Sequence, residues 1–295
     1  MTDPTTDQEW LAQRFEQHRP HLRGVAYRML GSLSEADDAV QESWIRLSRT
    51  DTSDVENMRA WLTTVVGRVC LDMLRTRTSR REAPLDVHVP DPVITRADDP
   101  ESNAMLADSV GLALLVVLQT LSPPERLSFV LHDMFGVPFD EIAPIVDRSP
   151  EAARQLASRA RRRVQGESPV PDADVGAQRE VVEAFIAAAR EGDFERLLEV
   201  LDPEVVLRVD FGAAAGGLRE LRGAEAVIGQ ATSYAQMGLA YRPALVNGVA
   251  GALSLRDGEP FSIGSIIVRG GRIVEIDILA DPERLSRLDL SILDD

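Results

Sequence analysis

The sequence predicts a multidomain chain: two all-α segments, the second a helix-turn-helix, followed by an α+β domain. Three observations predict it. Apolar residues recur at helical spacing through the first ~80 residues. A tight turn at Asp147-Arg148-Ser149 separates a short helix from a longer one with an apolar inner face and an Arg- and Gln-bearing outer face. Toward the C-terminus the period changes to two, with hairpin signals at Asp257-Gly258 and Gly270-Gly271. A length of 295 residues, 44% of them hydrophobic, fits two or three packed domains and excludes wholesale disorder.

The first helical run carries Leu22, Val25, Ala26, Met29 and Leu30, and Gly31 ends it. Ser34-Glu35-Ala36-Asp37 reads as a capping-box start for a second helix with Ala36, Val40, Trp44 and Leu47 as its buried stripe. After a polar loop, Leu62, Val65, Val66, Val69, Met73 and Leu74 mark a third helix, whose other side aligns Arg68, Asp72 and Arg75. Beside the apolar Leu62 and Val65, Trp61 is read as core. Residues 83–101, with Pro84, Pro90, Pro92 and Pro100, read as a linker, and helical pattern resumes near Ser102 and runs through 110–118.

Ser122-Pro123-Pro124-Glu125 starts the next helix, prolines being tolerated in a first turn. Phe135-Gly136 closes it. The short helix of the helix-turn-helix follows at 140–146, shortened by Pro144, which lacks a backbone donor. Ser149 caps the longer helix. Ala153, Leu156, Ala157, Ala160 and Val164 point inward there, while Glu151, Arg154, Gln155, Ser158 and Arg162 point outward. Residues 166–176 form a second linker. Helices are then expected at 178–191, 194–201 and 224–236, and strands near Val205–Val209, at 250–256, 261–268 and 272–279. Such a domain folds as a curved sheet around a pocket.

Net charge is −16, which argues against a nucleic-acid partner until its distribution is read. Every basic residue is Arg. Residues 1–166 hold 20 Arg against 25 acids, and residues 167–295 hold 12 against 23. Two basic patches interrupt the acidic chain: Arg68, Arg75, Arg77, Arg80 and Arg81, and then Arg148, Arg154, Arg159, Arg161, Arg162 and Arg163. Guanidinium suits both phosphate oxygens and guanine edges. Arg154, Gln155, Glu151 and Ser158 occupy the first turns of the longer helix, where such helices meet base edges; Arg159 and Arg162 lie farther on, where they hold phosphates. The lone Cys70 excludes a disulfide framework and a multi-cysteine zinc site. No apolar run reaches a membrane span, and the acidic N-terminus is unlike a signal peptide. A cytoplasmic protein is expected, without metal or cofactor.

Asp37-Asp38-Ala39-Val40-Gln41-Glu42-Ser43-Trp44, followed by Arg59-Ala60-Trp61-Leu62, resembles region 2 of a bacterial extracytoplasmic-function RNA polymerase sigma factor. Leu121-Ser122-Pro123-Pro124-Glu125-Arg126, Asp140-Glu141-Ile142-Ala143 and the 154–161 helix resemble region 4. The C-terminal part resembles a cone-shaped SnoaL-like domain, as in the subgroup of these sigma factors with a fused extension. Asp281-Pro282-Glu283-Arg284-Leu285 is a conservative version of that subgroup's Asn-Pro-Asp-Lys-Leu motif. Asp210-Phe211-Gly212-Ala213 partly matches an Asp-Gly-Gly-Gly motif. His88-Val89-Pro90-Asp91-Pro92 matches the prolines, but not the Trp, of a Trp-Leu-Pro-Glu-Pro linker motif.

The resemblance implies region 2 at 1–82, a linker with partial helix at 83–117, region 4 at 118–166, a linker at 167–177 and the SnoaL-like domain at 178–295. It implies that Asp37, Asp38, Gln41 and Glu42 dock on the polymerase β′ clamp, that region 4 meets the β flap, and that the basic patches contact −10 and −35 promoter DNA. It also gives Asp210, Gly212 and the Asp281–Leu285 segment a regulatory role toward the linker or region 2. Arg208, Asp210, Glu220, Tyr234, Tyr241 and Asp277 are candidates for a pocket lining, although the strand pattern also allows Glu275 and Asp277 to be exposed. His is absent after His132, so ligand sensing or regulation is favoured over catalysis. Two other classes compete with a sigma factor: a ligand-responsive helix-turn-helix regulator, and a SnoaL-like enzyme with a DNA-binding arm. The Asp37–Trp44 motif and the second basic helix favour the sigma factor, because neither alternative needs them.

Overall fold

The N-terminal periodicity becomes three helices in a computed structural model of the chain: α1 (Pro4–Leu30), α2 (Leu33–Leu47) and α3 (Met58–Ser79). The structure describes residues 4–50, 55, 57–79, 88–95 and 111–290. These fall into two compact units, Met1–Leu85 with Val117–Glu167, and Asp86–Val116 with Ser168–Asp295. The chain passes between them within α4 (Leu112–Thr120), a helix apolar on all sides.

In the first unit, α1 packs on α2 and α3 through fully buried Phe15, Leu22, Tyr27 and Met29. Helix α2 starts at Leu33 with Ser32 as its N-cap, so the expected Ser34 capping box lies two residues too far along; Ser34 instead sits within hydrogen-bond distance of the Ser32 hydroxyl, 3.1 Å. The buried stripe is Ala36, Ala39, Val40, Ser43 and Leu47, with Trp44 half-buried 5.2 Å from the Phe15 ring. Trp61 is also half-buried, at the start of α3.

The capping box at Ser122 does form. Its amide and hydroxyl both donate to Glu125 and open α5 (Pro123–Phe129), which widens into a π turn at Val130–Met134. Gly136, at φ +70°, ends it in a conformation that disfavours a Cβ. Then α6 (Phe139–Val146) contains an exposed Pro144 and runs only 8 residues. Asp147 closes it in the left-handed region, and α7 (Pro150–Glu167) follows.

One buried charged side chain joins two helix ends of this unit. Arg126 is only 2% exposed; its Nη1 donates to the Met29 carbonyl and its Nη2 to the Gln119 carbonyl, both at 2.8 Å. Those carbonyls belong to the last turns of α1 and α4, where no intrahelical donor serves them and the helix dipole favours a cation. Burial draws the Arg126 pKa down to about 10. Nearby, Leu131 lies 3.0 Å from where a Cβ on Gly67 of α3 would stand, so that glycine permits the close approach.

The second unit is a seven-stranded sheet in the order β1-β4-β5-β6-β7-β2-β3, antiparallel throughout except for β2 beside β7. Its strands are β1 (Ile94–Thr95), β2 (Leu201–Asp210), β3 (Leu218–Arg222), β4 (Ala240–Val246), β5 (Val249–Arg256), β6 (Glu259–Arg269) and β7 (Arg272–Leu279). Three helices, α8 (Val175–Glu191), α9 (Phe194–Val200) and α10 (Ala224–Ala235), cover one face, with Val182, Phe185, Leu197, Val227 and Ile276 in the shared core. A short α11 (Pro282–Leu285) ends the described fold.

Both segments read as linkers are tied to this unit. Residues 88–95 contribute β1, the edge strand beside β4. The Asn247 amide donates to the Val93 carbonyl (2.7 Å), while its side-chain oxygen accepts from the Val93 amide (2.9 Å). In the second segment the Asp172 carboxylate accepts from the Gly270 and Gly271 amides at 3.0 and 3.1 Å. Composition marked both as linkers because the partners that order them lie far off in the chain.

Candidate nucleic-acid interface and polar centre of the second unit

The turn at Asp147 sets the start of α7, where the Ser149 hydroxyl accepts from the Ala152 amide. Ala153, Ala157 and Ala160 are buried, which turns Glu151, Arg154, Gln155, Ser158, Arg159 and Arg162 outward; all six are exposed. This is the two-faced helix expected from the sequence. The Arg154 guanidinium lies over the Phe139 ring, 5.2 Å from its centroid, and Arg159 pairs with Glu125 at 2.9 Å. Arg161 pairs with Asp133, and Arg163 donates to the Thr120 hydroxyl at 3.1 Å.

On α3, Arg68 is exposed. Arg75 pairs with Asp147 at 3.5 Å, Asp72 with Arg46 at 3.6 Å, and Arg77 with Glu35. Arg80 and Arg81 lie outside the described residues, as do residues 51–54 and 56 of the polar loop before α3. On α2, Asp38 and Gln41 are exposed, Asp37 pairs with Arg23 at 2.7 Å and Glu42 with Arg46 at 3.0 Å. These surface pairs are weak in water and can exchange for another polyelectrolyte at small cost.

In the second unit, sheet pairing gathers residues that the sequence scatters. Asp210 ends β2, is 2% exposed, and accepts from the amides of Val89 (3.1 Å) and Gly212 (3.0 Å). Arg284 of α11 reaches Asp210 at 2.8 Å, Asp91 at 2.6 Å and the Val89 carbonyl at 2.5 Å. Asp281 caps α11 by accepting from the Glu283 and Arg284 amides, and Leu285 is buried. Gly212, at φ +78°, has room for no Cβ: one would stand 2.3 Å from Asp281. All three motifs read from the sequence, at 88–92, 210–213 and 281–285, therefore meet at one place. Pro282 opens the α11 turn, and Glu283 pairs with Arg287.

A second charged cluster lies beside it on the sheet. Arg208 contacts Glu275 at 2.6 Å, Glu220 at 2.9 Å and Asp277 at 3.1 Å. Burial, reinforced by the Asp277 charge, pushes the Glu275 pKa up to about 8; burial raises Asp277 as well. Burial opposes the charge on Arg208, but Asp277 and then Glu275 outweigh it and raise its pKa. One cation beneath two buried carboxyls leaves the pair holding a proton near neutrality.

The opposite face of the same strands lines a largely apolar cavity that opens to solvent. Leu207, Val209, Ile276 and Ile278 line it, and the residues between them belong to the charged clusters. Of the six residues expected in a pocket, only Tyr234 and Tyr241 line it. Arg208, Asp210, Glu220 and Asp277 do not, because side chains along a strand alternate between faces. Nor are Glu275 and Asp277 exposed: they are 4% and 0% accessible under Arg208. Sequence reading passed over Arg126, Asn247 and Asp172; of these, Asn247-Gly248 carried a legible hairpin signal.

A helix-turn-helix with an exposed Arg/Gln face, joined in one unit to a three-helix domain bearing basic and acidic faces, defines a DNA-reading transcription protein. Comparison with known proteins narrows this. Residues 14–80 match the model of Sigma-70 region 2, and residues 111–164 match Sigma-70 region 4. The chain is 39% identical over 288 residues to the ECF RNA polymerase sigma factor SigJ of Mycobacterium tuberculosis, covering 92% of each chain. It is 40% identical over 196 residues to the probable ECF RNA polymerase sigma factor SigI of the same species, covering 65% of this chain and 67% of that one. The crystal structure of the M. tuberculosis extracytoplasmic function sigma factor SigJ superposes with a TM-score of 0.77 at 36% identity, over 95% of this chain and 99% of that one. The chain belongs to the extracytoplasmic-function RNA polymerase sigma factors. Its function is to direct RNA polymerase core to promoters, and its fold is the expected one: helical sigma domains followed by an α+β domain. Among the described residues, no helix is long and apolar enough to cross a membrane.

Proposed function

We propose that this sigma factor reads −35 DNA with Glu151, Arg154, Gln155 and Ser158, and holds phosphates with Arg159, Arg162 and the α3 patch of Arg68, Arg75, Arg77, Arg80 and Arg81. Core polymerase docks on Asp37, Asp38, Gln41 and Glu42 of α2 through the β′ clamp, and region 4 on the β flap. The C-terminal domain controls this activity in cis and is not an enzyme. The observation that carries the control reading is the Arg284 bridge: one guanidinium, 19% exposed, joins Asp210 in the C-terminal domain to Asp91 and Val89 in the segment that leads from region 2 to region 4. The freedom of that segment limits how regions 2 and 4 can be placed on one promoter, so a domain that grips it governs their spacing. Supporting the non-catalytic reading, the described residues that line the cavity include no carboxylate, His or Arg to move a proton.

Run-off transcription with core polymerase tests this. The full chain is expected to direct transcription from its target promoter, and deletion from Asp281 onward to change the output. Unchanged output would refute control through this contact, and transcripts from the full chain that ignore the −35 element would refute the α7 assignment.

A further inference from the structure

The cavity of the second unit has a composition that specifies what can enter it. Its floor is excavated in sequence: Ala252 of β5 pairs with Gly264 of β6, and Ser254 pairs with Ser262. All four are small and line the cavity, whereas the intervening pair on the other face, Leu253 and Ile263, is large and buried. A core built only for packing places large residues at such positions, since an empty apolar hollow forfeits its contacts. Aliphatic walls come from Leu207, Val209, Ile276 and Ile278.

Among the described residues, no charged side chain lines this space. Its polar groups are neutral, and one is unsatisfied: the Tyr234 hydroxyl is buried without a hydrogen-bond partner, although Ser262 is nearby. The residue is 9% exposed, its ring lies 5.6 Å from Phe261, and it lines the cavity. A buried donor left unpaired is costly unless something supplies an acceptor.

We infer that the C-terminal domain binds a neutral, largely apolar small molecule carrying a carbonyl or ether oxygen that accepts from the Tyr234 hydroxyl. A charge buried in this lining is costly, because among the described residues none that lines it carries a compensating charge. The regulatory meaning of such a ligand rests on the control proposed above, since Val209 lines the cavity and the next residue, Asp210, holds Arg284. Its test does not.

The full-length protein is titrated with Nile red, and the dye is displaced with progesterone, pyrene and a steroid ketone bearing a carboxylate. Saturable one-to-one binding is expected, with the carboxylate at least ~10-fold weaker than progesterone. Tyr234→Phe should weaken progesterone about 5-fold while leaving pyrene, which has no acceptor, unchanged. Ala252→Leu, which fills the floor, should abolish binding of all three. Equal affinity for the carboxylate overturns the inference, as does dye binding undiminished in a folded Ala252→Leu protein. Should that variant fail to fold, the progesterone–pyrene contrast in Tyr234→Phe decides alone. These measurements need no polymerase, so their failure refutes the ligand class without touching cis control, and an unresponsive truncation does the reverse.

Discussion

Replacing Arg284 by Ala removes the cation that joins three acceptors. Asp210 and Asp91 side chains are 3% and 13% exposed, so both carboxylates would be left in a poorly solvated site. Breaking a buried pair from one side costs about 3–5 kcal/mol. The lower figure applies here because Asp210 keeps the Val89 and Gly212 amides as donors. A loss of about 3 kcal/mol corresponds to a fall in melting temperature of roughly 6–12 °C for a domain of this size. If the segment opens locally, backbone exchange at residues 88–95 should accelerate by roughly 100-fold. Hydrogen exchange read by mass spectrometry on the full chain, alongside calorimetry, measures both. Arg284→Lys should recover only part of the protection, because an ammonium lacks the planar fork that serves several acceptors at once. Wild-type exchange at 88–95 in a folded Arg284→Ala protein would show that this side chain does not hold the segment.

Three further outcomes follow from the same physics. The Glu275 pKa is raised in the folded state above its ordinary 4.5 to about 8, so the folded protein binds the extra proton; stability should fall as pH rises from about 5 to 8, by at most ~1.4 kcal/mol per unit, and Glu275→Gln should flatten that slope in urea titrations. A slope unchanged by the substitution would assign the proton elsewhere. Arg126→Ala strands the Met29 and Gln119 carbonyls and leaves a cavity, so the first unit should lose about 3–5 kcal/mol in denaturant unfolding; a loss under ~1 kcal/mol would mean water replaces the guanidinium. Arg154→Ala and Gln155→Ala should each cost ~1–3 kcal/mol at a particular −35 base pair, read by binding to single-base-substituted promoters. Equal losses on matched and scrambled elements would make these residues phosphate contacts.

The first unit was legible because its signals are local. Apolar periodicity, the Ser122 capping box and the turn before Ser149 each act within a few residues, and they place α5, α6 and α7 close to where the structure has them. The Ser34 capping box failed for a local reason too, since Ser32, two residues earlier, serves as N-cap. Strand β7 matched its expected 272–279 range, but β3 and β4 were not read. Leu218–Arg222 is a polar edge strand without clean alternation, and Pro243 interrupts the pattern of β4.

The family, the helical-then-α+β order of the chain, the two-faced helix α7 and the motifs at 88–92, 210–213 and 281–285 were all legible in the residues alone. Three things came from long-range packing: those motifs converge, residues 94 and 95 pair as an edge strand, and the charged residues of β2 and β7 turn away from the cavity. The reason is distance along the chain. Arg284 and Asp91 are 193 residues apart, and neither carries any local trace of the other. Face is decided by register, which a run such as Val-Glu-Ile-Asp-Ile leaves open until its neighbours are paired.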